Sequence, residues 1–359
     1  MHRSSDWIVD LSEAMEDFAE DWRSFVTPDN ATPFQHYEVM RIVFSRLISG
    51  GGRPKIARVR NPNGQLVALF PMHITRQHGL TWLRTDVRPL DYCAPIFAPG
   101  LTQSQTSDII HAVLAQVPEA DLLYVNRIPE TFSGAPSPLV TMPNTARLRL
   151  SSWHLTLKNQ TLDDLVARQS KQFKSQLRTR TKKFMAKHDR KIDVAFGKDV
   201  SAADFEAFSD LRQSSFDVKE RSNILSDPQW GPLYSTLLAE GIECRAWLAT
   251  LRADGEMVAA LYGFQTGQRV QIILPASKMG DWQYYRLGLQ LFQDTITYFH
   301  KQGAEIYDLS IGDSPYKKRI GGAEEGLYDA LFPRSFAGYV YYILWRLKVK
   351  LRARMRPID

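Results

Sequence analysis

The sequence predicts an α+β fold in which one structural unit occurs twice. Two distant segments read alike, since each has an apolar strand pattern, a turn pair at Asn63-Gly64 or Asp254-Gly255, and a second strand rich in valine and alanine. Asn-Gly and Asp-Gly favour hairpins because these residues can take positive φ at both central turn positions. In each half, two helical patterns precede the hairpin, and a strand, a helix and a strand follow it. This order is neither strictly alternating nor all-β, which is typical of the α+β class.

Two unrelated hairpins would give the same local pattern, so the duplication is a prediction about topology. If it is right, Gly64 and Gly255 occupy equivalent turns. The length of 359 residues suits two domains. We place them at residues 1–150 and 151–335, followed by a basic helix at 336–359. The segment 130–144 contains proline, glycine and serine and predicts a loop or domain junction.

In the first half, periodicity predicts two helices before the hairpin. Apolar residues recur at steps of four and three from Leu11 to Phe25, the spacing of an amphipathic helix. Thr32 is the expected N-cap of the second helix and Pro33 its first residue, and the glycines at 50–52 end it. After the hairpin we predict a strand, a helix and a strand, at residues 80–83, 106–117 and 121–125.

In the second half, a strand pattern at 152–157 precedes a long basic helix at 162–190. Ser201 and Asp204 resemble a capping box and predict a helix through residue 214. A further helix is expected within 227–240, bounded by Gly241. After the second hairpin we predict a strand, a helix and a strand, at 269–275, 284–300 and 305–309, and then a sharp turn at 312–315.

Composition and motifs limit the chemistry. Hydrophobic content of 44% and charged content of 23% are those of an ordinary soluble protein. Neither the two thiols, Cys93 and Cys244, nor the eight histidines have metal-ligand spacing, so we expect no metal and no disulfide framework. A cytoplasmic location is expected, because no signal-peptide core and no apolar run of ~20 residues occurs. P-loop, dinucleotide and Gly-x-Ser-x-Gly motifs do not occur in the sequence.

Four short stretches, in this order and spacing, carry a family resemblance. They are Thr32-Pro33-Phe34-Gln35, Pro89-Leu90-Asp91-Tyr92, Ser170-Lys171-Gln172-Phe173-Lys174, and Tyr307-Asp308-Leu309 followed by Gly312 and Tyr316-Lys317. The chain resembles the GNAT (GCN5-related N-acetyltransferase) superfamily over nearly its whole length. Within it, the chain looks like the tandem-GNAT branch often labelled cellulose-biosynthesis-type acetyltransferases, relatives of the Fem-type peptidoglycan aminoacyltransferases. The resemblance implies two tandem GNAT-like domains and transfer of an acyl group to an amine or hydroxyl.

The resemblance also implies where the acyl donor binds. A GNAT fold binds the pyrophosphate of coenzyme A at the start of the helix that follows its central strands, and helix N-termini are general anion sites. That position here implies contacts from Arg286, Gly288 and Leu289 to acyl-CoA, of which acetyl-CoA is the simplest. Tyr285 and Gln290 depart from the usual family pattern at its first and last positions. An ordinary helix start with a packing glycine is the alternative.

By the same resemblance, Asp308, Tyr316 and Lys317 carry the catalysis. Acyl transfer needs a base for the nucleophile's proton and a donor that stabilises the oxyanion. Asp308, at the end of an apolar strand, is the expected base. The Tyr-Lys pair resembles the aromatic-Lys pair of Fem-type enzymes, so Lys317 is expected to stabilise the oxyanion and Tyr316 to position substrate or donate a proton. The alternatives are a structural ion pair for Asp308 and a solvated turn at 317–319.

The basic helix is the strongest charge feature of the chain. Ten basic residues at 168–191 accompany one nearby acid, Asp189, and a row at helical spacing consists of Lys171, Lys174, Arg178 and Lys182. The positive potentials of these four residues add up, which favours binding of a polyanion. The candidates are a phosphate-bearing donor, an anionic glycan or lipid carrier, or tRNA, which is the donor of Fem enzymes. Lys174 and Arg178 are the expected substrate contacts, and a solvated helix face is the alternative.

Two further segments are candidate contact sites. The resemblance implies that Asp91 and Tyr92 lie in a loop that contacts the acceptor, and a turn closed by an Asx-type hydrogen bond is the alternative. The C-terminal segment 339–356 combines aromatic and basic residues, which fits an interfacial helix on anionic lipid at the inner face of the membrane. A helix packed on its own first domain would have the same composition.

The sequence thus predicts a metal-independent acyltransferase that acts on a cell-envelope or exopolysaccharide precursor. Direct attack of the acceptor on the bound donor is expected, because no activated serine or cysteine is evident. Two alternatives remain. One is a catalytically degenerate GNAT pair that binds an anionic polymer as an accessory to polysaccharide synthesis, and the other is an aminoacyl-tRNA-dependent Fem-like transferase.

Overall fold

The first part of the chain forms the predicted strands and helices in the predicted order, with four further short strands, two of them within the segment 130–144 that we expected to be a loop. The computed structural model describes residues 7–132, 134–218, 222–240 and 244–354. Its first elements are β1 (Ile8–Ser12), α1 (Ala19–Phe25), α2 (Tyr37–Ser49), β2 (Arg53–Arg60), β3 (Leu66–Gln77), β4 (Leu80–Arg84), β5 (Ile96–Phe97), α3 (Gln103–Ala115), β6 (Leu122–Pro129), β7 (Thr131–Phe132) and β8 (Ala135–Pro136).

The second part repeats this order after one long strand and two helices. Its elements are β9 (Thr145–Thr156), α4 (Leu162–Ala167), α5 (Lys171–Met185), β10 (Arg190–Phe196), α6 (Ala202–Asp217), α7 (Gly231–Glu240), β11 (Arg245–Ala253), β12 (Glu256–Thr266), β13 (Arg269–Ser277), α8 (Leu287–Lys301), β14 (Ile306–Ile311), α9 (Pro315–Arg319), β15 (Ala323–Pro333) and α10 (Phe336–Arg354). Gly241, the expected helix boundary, lies outside the described residues.

The chain divides into two compact units with the same sheet topology. One unit lies within Met1–Arg149 and Gly326–Asp359, and the other within Leu150–Glu325. The sheet order is β1-β2-β3-β4-β6-β15 in the first unit and β10-β11-β12-β13-β14-β9 in the second. Each sheet contains one parallel pair, β4 with β6 and β13 with β14. Gly64 and Gly255 lie in the equivalent β2–β3 and β11–β12 turns, so the predicted duplication of topology is confirmed.

The last strand of the first unit's sheet comes from outside the sequence block that forms the rest of that sheet. β15 pairs with β6 from Leu327↔Pro129 to Pro333↔Leu122, although 180 or more residues separate these strands in the sequence. Residues 326–335, which we placed in the second domain, therefore belong to the first unit. The helix α10 also belongs to the first unit rather than following both domains as a separate element. Long-range strand pairing thus corrects the limits 1–150, 151–335 and 336–359.

The two hairpin turns differ in detail. Asp254 and Gly255 have φ of +52° and +87°, so the second hairpin has the two-residue turn that the sequence predicts. In the first, Gly64 has φ of +80° but Asn63 does not have positive φ. Asn61 accounts for the difference, because its side-chain oxygen accepts hydrogen bonds from the Asn63 and Gln65 backbone N–H groups, both at 3.0 Å. This closes a longer loop.

Two predicted helices have different limits in the structure. Leu11 lies in β1, and the helical part of that segment begins with a 3-10 turn at Met15–Phe18. The basic helix expected at 162–190 is two helices, α4 and α5, because the side chain of Ser170 accepts a hydrogen bond from the Phe173 N–H and begins α5 afresh. The structure also contains β10 and β15, which the pattern of apolar residues did not reveal.

Each unit has its own apolar core on its sheet. In the first, Trp22 is fully buried and its Nε1 donates to the Gln35 carbonyl at 2.7 Å. In the second, α8 packs Leu291, Ile296 and Phe299 against the sheet.

Among the described residues, no helix has the length and apolar character needed to cross a bilayer. The same residues contain no group of three His, Cys, Asp or Glu side chains arranged to bind a metal ion.

Candidate functional site

The parallel strands β13 and β14 of the second unit separate partway along their length. Their register pairs run from Arg269↔Ile306 to Gln271↔Asp308, after which β13 continues to Ser277 without β14 beside it. A bulge in β14 follows Asp308. On the other side of β13, a second bulge lies at Gly263, where a Cβ would approach the Gln271 carbonyl oxygen to 2.1 Å. These irregularities open the sheet at the ends of two neighbouring strands.

A buried polar network holds the end of β14. Asp308 is 1% exposed, and its Oδ2 accepts a hydrogen bond from Arg269 Nη2 at 2.6 Å. Asp308 Oδ1 accepts from the Ser310 N–H at 2.7 Å. Ser310 has φ of +59°, a left-handed conformation that is costly for a residue other than glycine. Gln271 Nε2 donates to Ser310 Oγ at 2.9 Å, so three buried side chains stabilise this strained position.

Lys317 reaches the same position from α9. Its ammonium group is buried, with 3% of the residue exposed, and Nζ donates to the Ser310 carbonyl at 2.9 Å and the Ile311 carbonyl at 2.8 Å. The structure therefore brings Asp308 and Lys317 together at Ser310. The ion pair with Arg269 is the structural alternative considered for Asp308, and both of its oxygens are engaged. Lys317 is not part of a solvated turn, although Lys318 and Arg319 beside it are exposed.

Tyr316 precedes Lys317 and faces α8. Its ring lies 5.2 Å from that of Phe292, centroid to centroid. Burial raises the pKa of Tyr316 to about 12, so the phenol is protonated at neutral pH and can donate a hydrogen bond. This is the state that the predicted role as proton donor requires. Whether Tyr316 shares one cleft with Arg286 and Gly288 stays a prediction.

The first turn of α8 has no side-chain cap. Arg286 is its N-cap with φ of +53° and makes no side-chain capping hydrogen bond. The N–H groups of Leu289 and Gln290 donate to the Arg286 carbonyl. Leu287 and Gly288 are the first two residues of the helix, and N–H groups at these positions have no acceptor within a helix. A Cβ on Gly288 would meet the Ser277 side chain at an ordinary 3.7 Å, so close packing does not demand glycine here.

Positive charge gathers at this helix terminus. Burial lowers the pKa of Arg286, and the charges of Arg180 and Arg319 lower it further. Arg180 donates to the Tyr284 carbonyl at 2.5 Å, and Lys183 donates to the Tyr284 hydroxyl at 2.8 Å. In the described part of the chain, neither Arg286 nor Arg319 forms an ion pair with a carboxylate. An anion bound at the first turn of α8 would therefore relieve like-charge repulsion.

The equivalent helix of the first unit is closed. The side chain of Thr102 accepts a hydrogen bond from the Gln105 N–H, and Gln105 in turn caps the Thr102 N–H, so α3 begins with a complete capping box. In the same unit, Asp329 accepts hydrogen bonds from Tyr124 Oη at 2.5 Å and the Arg127 N–H at 3.0 Å. These polar groups therefore form hydrogen bonds with one another. Of these two equivalent helices, α8 therefore begins without a side-chain cap and α3 begins with one.

The row on α5 faces solvent in large part. Lys171, Arg178 and Lys182 are exposed and Lys174 is half-buried. The opposite side of the helix is anchored in the core by Phe173, Leu177 and Phe184. The predicted buried and basic faces are thus both present, and what binds the row stays a prediction.

Asp91 and Tyr92 differ in their availability to an acceptor. Tyr92 is 1% exposed and packs edge-on against Phe34, with ring centroids 6.3 Å apart. Gln35 Nε2 donates to the Tyr92 carbonyl at 3.2 Å, so the segment that begins with Thr32 holds this loop in the core of the first unit. The Tyr92 side chain is therefore buried in this structure, and its expected contact with the acceptor stays a prediction. Asp91 is half-buried.

Sequence reasoning missed several residues of the site, namely Arg180, Arg269, Gln271, Ser310 and Arg319. Arg269 and Gln271 had a signal, because two polar residues at alternate positions of an otherwise apolar strand point to one face and need buried partners. Ser310 had none, since its positive φ follows from the bulge in β14.

One family model matches the part of the chain that contains most of these residues. Residues 171–318, which include the opening between β13 and β14 and the first turn of α8, match the family described as an acetyltransferase (GNAT) domain. No curated protein matches the sequence. The match lies within the second unit, and both units have a GNAT-like mixed sheet flanked by helices.

Solved structures with a similar fold span nearly the whole chain. FemX has 9% identity and a TM-score of 0.59, with 89% of this chain and 96% of FemX covered. L-PGS from Bacillus licheniformis has 12% identity and a TM-score of 0.54, with 92% and 94% covered. A tandem GNAT protein from the clavulanic acid biosynthesis pathway has 11% identity and a TM-score of 0.50, with 92% and 100% covered. At these identities the likeness establishes the fold.

Proposed function

We propose that the second unit transfers an acyl group from acyl-CoA to an amine or hydroxyl. One observation carries the proposal: the uncapped first turn of α8 lies among Arg180, Arg286 and Arg319, whereas the equivalent helix of the first unit is capped. Backbone N–H groups and guanidinium groups together are suited to a pyrophosphate. The match of residues 171–318 to an acetyltransferase domain supports acetyl as the group transferred.

In the proposed reaction, the acceptor's lone pair attacks the thioester carbonyl carbon directly. A bond from nitrogen or oxygen to carbon forms, the carbon–sulfur bond breaks, the acceptor loses its proton to water, and the thiolate takes up a proton from a donor that solvent then reprotonates. Tyr316, protonated at neutral pH, is the proposed proton donor to the leaving sulfur. Lys317 supplies positive charge for the developing oxyanion. Asp308 positions this segment through Ser310 and Arg269, a structural role in place of the base that the sequence suggested.

For the acceptor, we propose a cell-envelope or exopolysaccharide precursor. This rests on the resemblance of the sequence to cellulose-biosynthesis-type acetyltransferases and to relatives of Fem-type enzymes. A cytoplasmic enzyme with access to such a precursor is consistent with both resemblances.

Removing the cationic cluster should weaken donor binding. In Arg180→Gln/Arg286→Gln, the affinity for coenzyme A measured by calorimetry should fall about tenfold or more per arginine, because each charge-assisted hydrogen bond to phosphate contributes about 1.5–3 kcal/mol. Pantetheine, which lacks the pyrophosphate, should bind the variant and the natural protein alike. The matched control Lys198→Gln/Lys301→Gln removes two exposed charges elsewhere in the same unit. Unchanged coenzyme A affinity in the arginine variant would overturn the donor assignment.

Aminoacyl-tRNA is the second candidate donor. The observation that favours it is the solvent-facing row of Lys171, Lys174, Arg178 and Lys182, which extends the positive charge along α5 beyond what one pyrophosphate needs. The similar fold of FemX is compatible with this donor. A catalytically degenerate unit that binds an anionic polymer would use the same row.

Replacing the four residues of the row by glutamine distinguishes between aminoacyl-tRNA and acyl-CoA as the donor. Affinity for tRNA should fall, and the slope of log affinity against log salt should flatten by about 3, because four phosphate contacts release fewer counterions. The melting temperature should stay nearly unchanged, since exposed charges contribute little to stability. Coenzyme A affinity should be retained if the pyrophosphate binds at α8. An equal tRNA affinity and salt slope in the variant would leave the row as a solvated helix face.

A further inference from the structure

One side of α10 carries a continuous row of exposed apolar side chains. Between 45% and 86% of each residue is exposed, and the row consists of Phe336, Val340, Ile343, Leu344, Leu347 and Leu351. Steps of three and four residues place them on one face of the helix. Single exposed leucines are ordinary on protein surfaces, but a contiguous apolar face marks a binding surface.

The opposite side of α10 is fixed to the first unit. Tyr341, Tyr342 and Trp345 pack against an apolar cluster on β4, β6 and β15, and the rings of Tyr341 and Trp82 lie 4.9 Å apart. Gly338 lies so close to the Asp121 carbonyl that a Cβ would approach its oxygen to 2.2 Å. Since this inner side is occupied, the outer face cannot turn inward to bury its own leucines.

Basic residues border the outer face on both edges. At 100° per residue, Lys348 lies on one side of the apolar row and Lys350 on the other, and both are exposed. Arg346 lies on the same edge as Lys350 and donates to the Pro143 carbonyl. The sequence of α10 contains five basic residues and no aspartate or glutamate. The face is therefore apolar in the middle and positive at its margins.

We propose that this face of α10 binds the surface of a membrane that contains anionic lipids, with the helix lying in the plane of the interface. The apolar side chains would enter the acyl-chain boundary while Lys348 and Lys350 contact lipid phosphates. A second copy of the chain is a poorer occupant, because two such faces would bring their lysines together without an acidic partner on the helix. The inference does not depend on the identity of the acyl donor.

Co-sedimentation of the full chain with vesicles tests the proposal. The natural protein should bind vesicles of phosphatidylglycerol and phosphatidylcholine, and bind pure phosphatidylcholine vesicles much less. Lys348→Gln/Lys350→Gln should lose about fivefold in affinity per charge, equivalent to about 1 kcal/mol each. Ile343→Ser/Leu347→Ser should lose about tenfold or more per residue, because each buries its side chain only at the membrane.

Both variants alter exposed positions, so their melting temperatures should match that of the natural protein. Lys198→Gln/Lys301→Gln is the charge control, since it removes two exposed lysines outside α10 and should bind vesicles normally. Equal binding of all variants, or no preference for anionic vesicles, would overturn the proposal. A dimer in solution that Ile343→Ser/Leu347→Ser dissociates, without vesicle binding by the natural protein, would assign the face to a second copy instead.

Discussion

Asp308→Ala is expected to lower the free energy of unfolding of the second unit by about 3–5 kcal/mol, because it leaves the buried Arg269 guanidinium without its carboxylate. The Ser310 N–H also loses its acceptor, at a position whose φ of +59° already costs energy. Urea denaturation followed by circular dichroism measures the change. Asp308→Asn, which can still accept from the Ser310 N–H, should lose less than the alanine variant.

An exposed ion pair of the same unit is the matched control. Lys158 and Glu305 are 3.0 Å apart with side chains that are 59% and 30% exposed, so Lys158→Gln should change the free energy of unfolding by about 0–1 kcal/mol. A loss for Asp308→Ala no larger than that of Lys158→Gln would show that the buried network does not hold the end of β14. A stable Asp308→Asn variant without activity would return Asp308 to the chemistry of the reaction.

Lys317→Met is expected to lower kcat for acyl transfer by about 10²–10³-fold, the usual loss when one oxyanion donor is removed. The KM for acyl-CoA should change little, because the proposed donor contacts lie at the first turn of α8. The free energy of unfolding should also fall, by about 1–3 kcal/mol, since the Ser310 and Ile311 carbonyls lose their buried donor. Steady-state kinetics below the melting temperature of the variant keep the two effects apart.

The neighbouring lysine provides the control for this prediction. Lys318 is exposed where Lys317 is buried, so Lys318→Met should retain both activity and stability. Lys317→Arg, which keeps the positive charge, should recover part of the lost kcat if charge at this point stabilises the oxyanion. Full kcat in Lys317→Met would restrict Lys317 to holding the end of β14.

Local sequence signals predicted several of the elements that carry the candidate site. Turn chemistry located both hairpins, and helical periodicity followed by a strand pattern located α8 and β14, because these features depend on residues close in the chain. The proximity of Asp308 and Lys317 also followed, since a single sharp turn joins their elements. The first residue of α8 was harder to predict from the sequence, because the 3-10 turn at Gly280–Tyr285 has nearly the same spacing of apolar residues as the helix itself.

Partners of the site residues could not be predicted in the same way. Arg269 and Gln271 meet Asp308 and Ser310 only through the parallel pairing of β13 with β14, across an intervening helix. Arg180 reaches the start of α8 because α5 packs there with its apolar face in the core. The number of basic residues identified the basic segment. Which of these residues face α8 and which face solvent depended on packing.

By itself, the sequence determined the duplicated α+β topology, the second hairpin turn and the opposed apolar and basic sides of α5, because φ preferences and residue periodicity act within a few residues. Tertiary structure alone decided that β15 and α10 belong to the first unit, that Tyr92 is buried, and that Asp308 pairs with Arg269. The physical reason is that strand pairing and the burial of charge join residues far apart in the chain. Their free energy depends on which surfaces meet, and no local pattern contains that information.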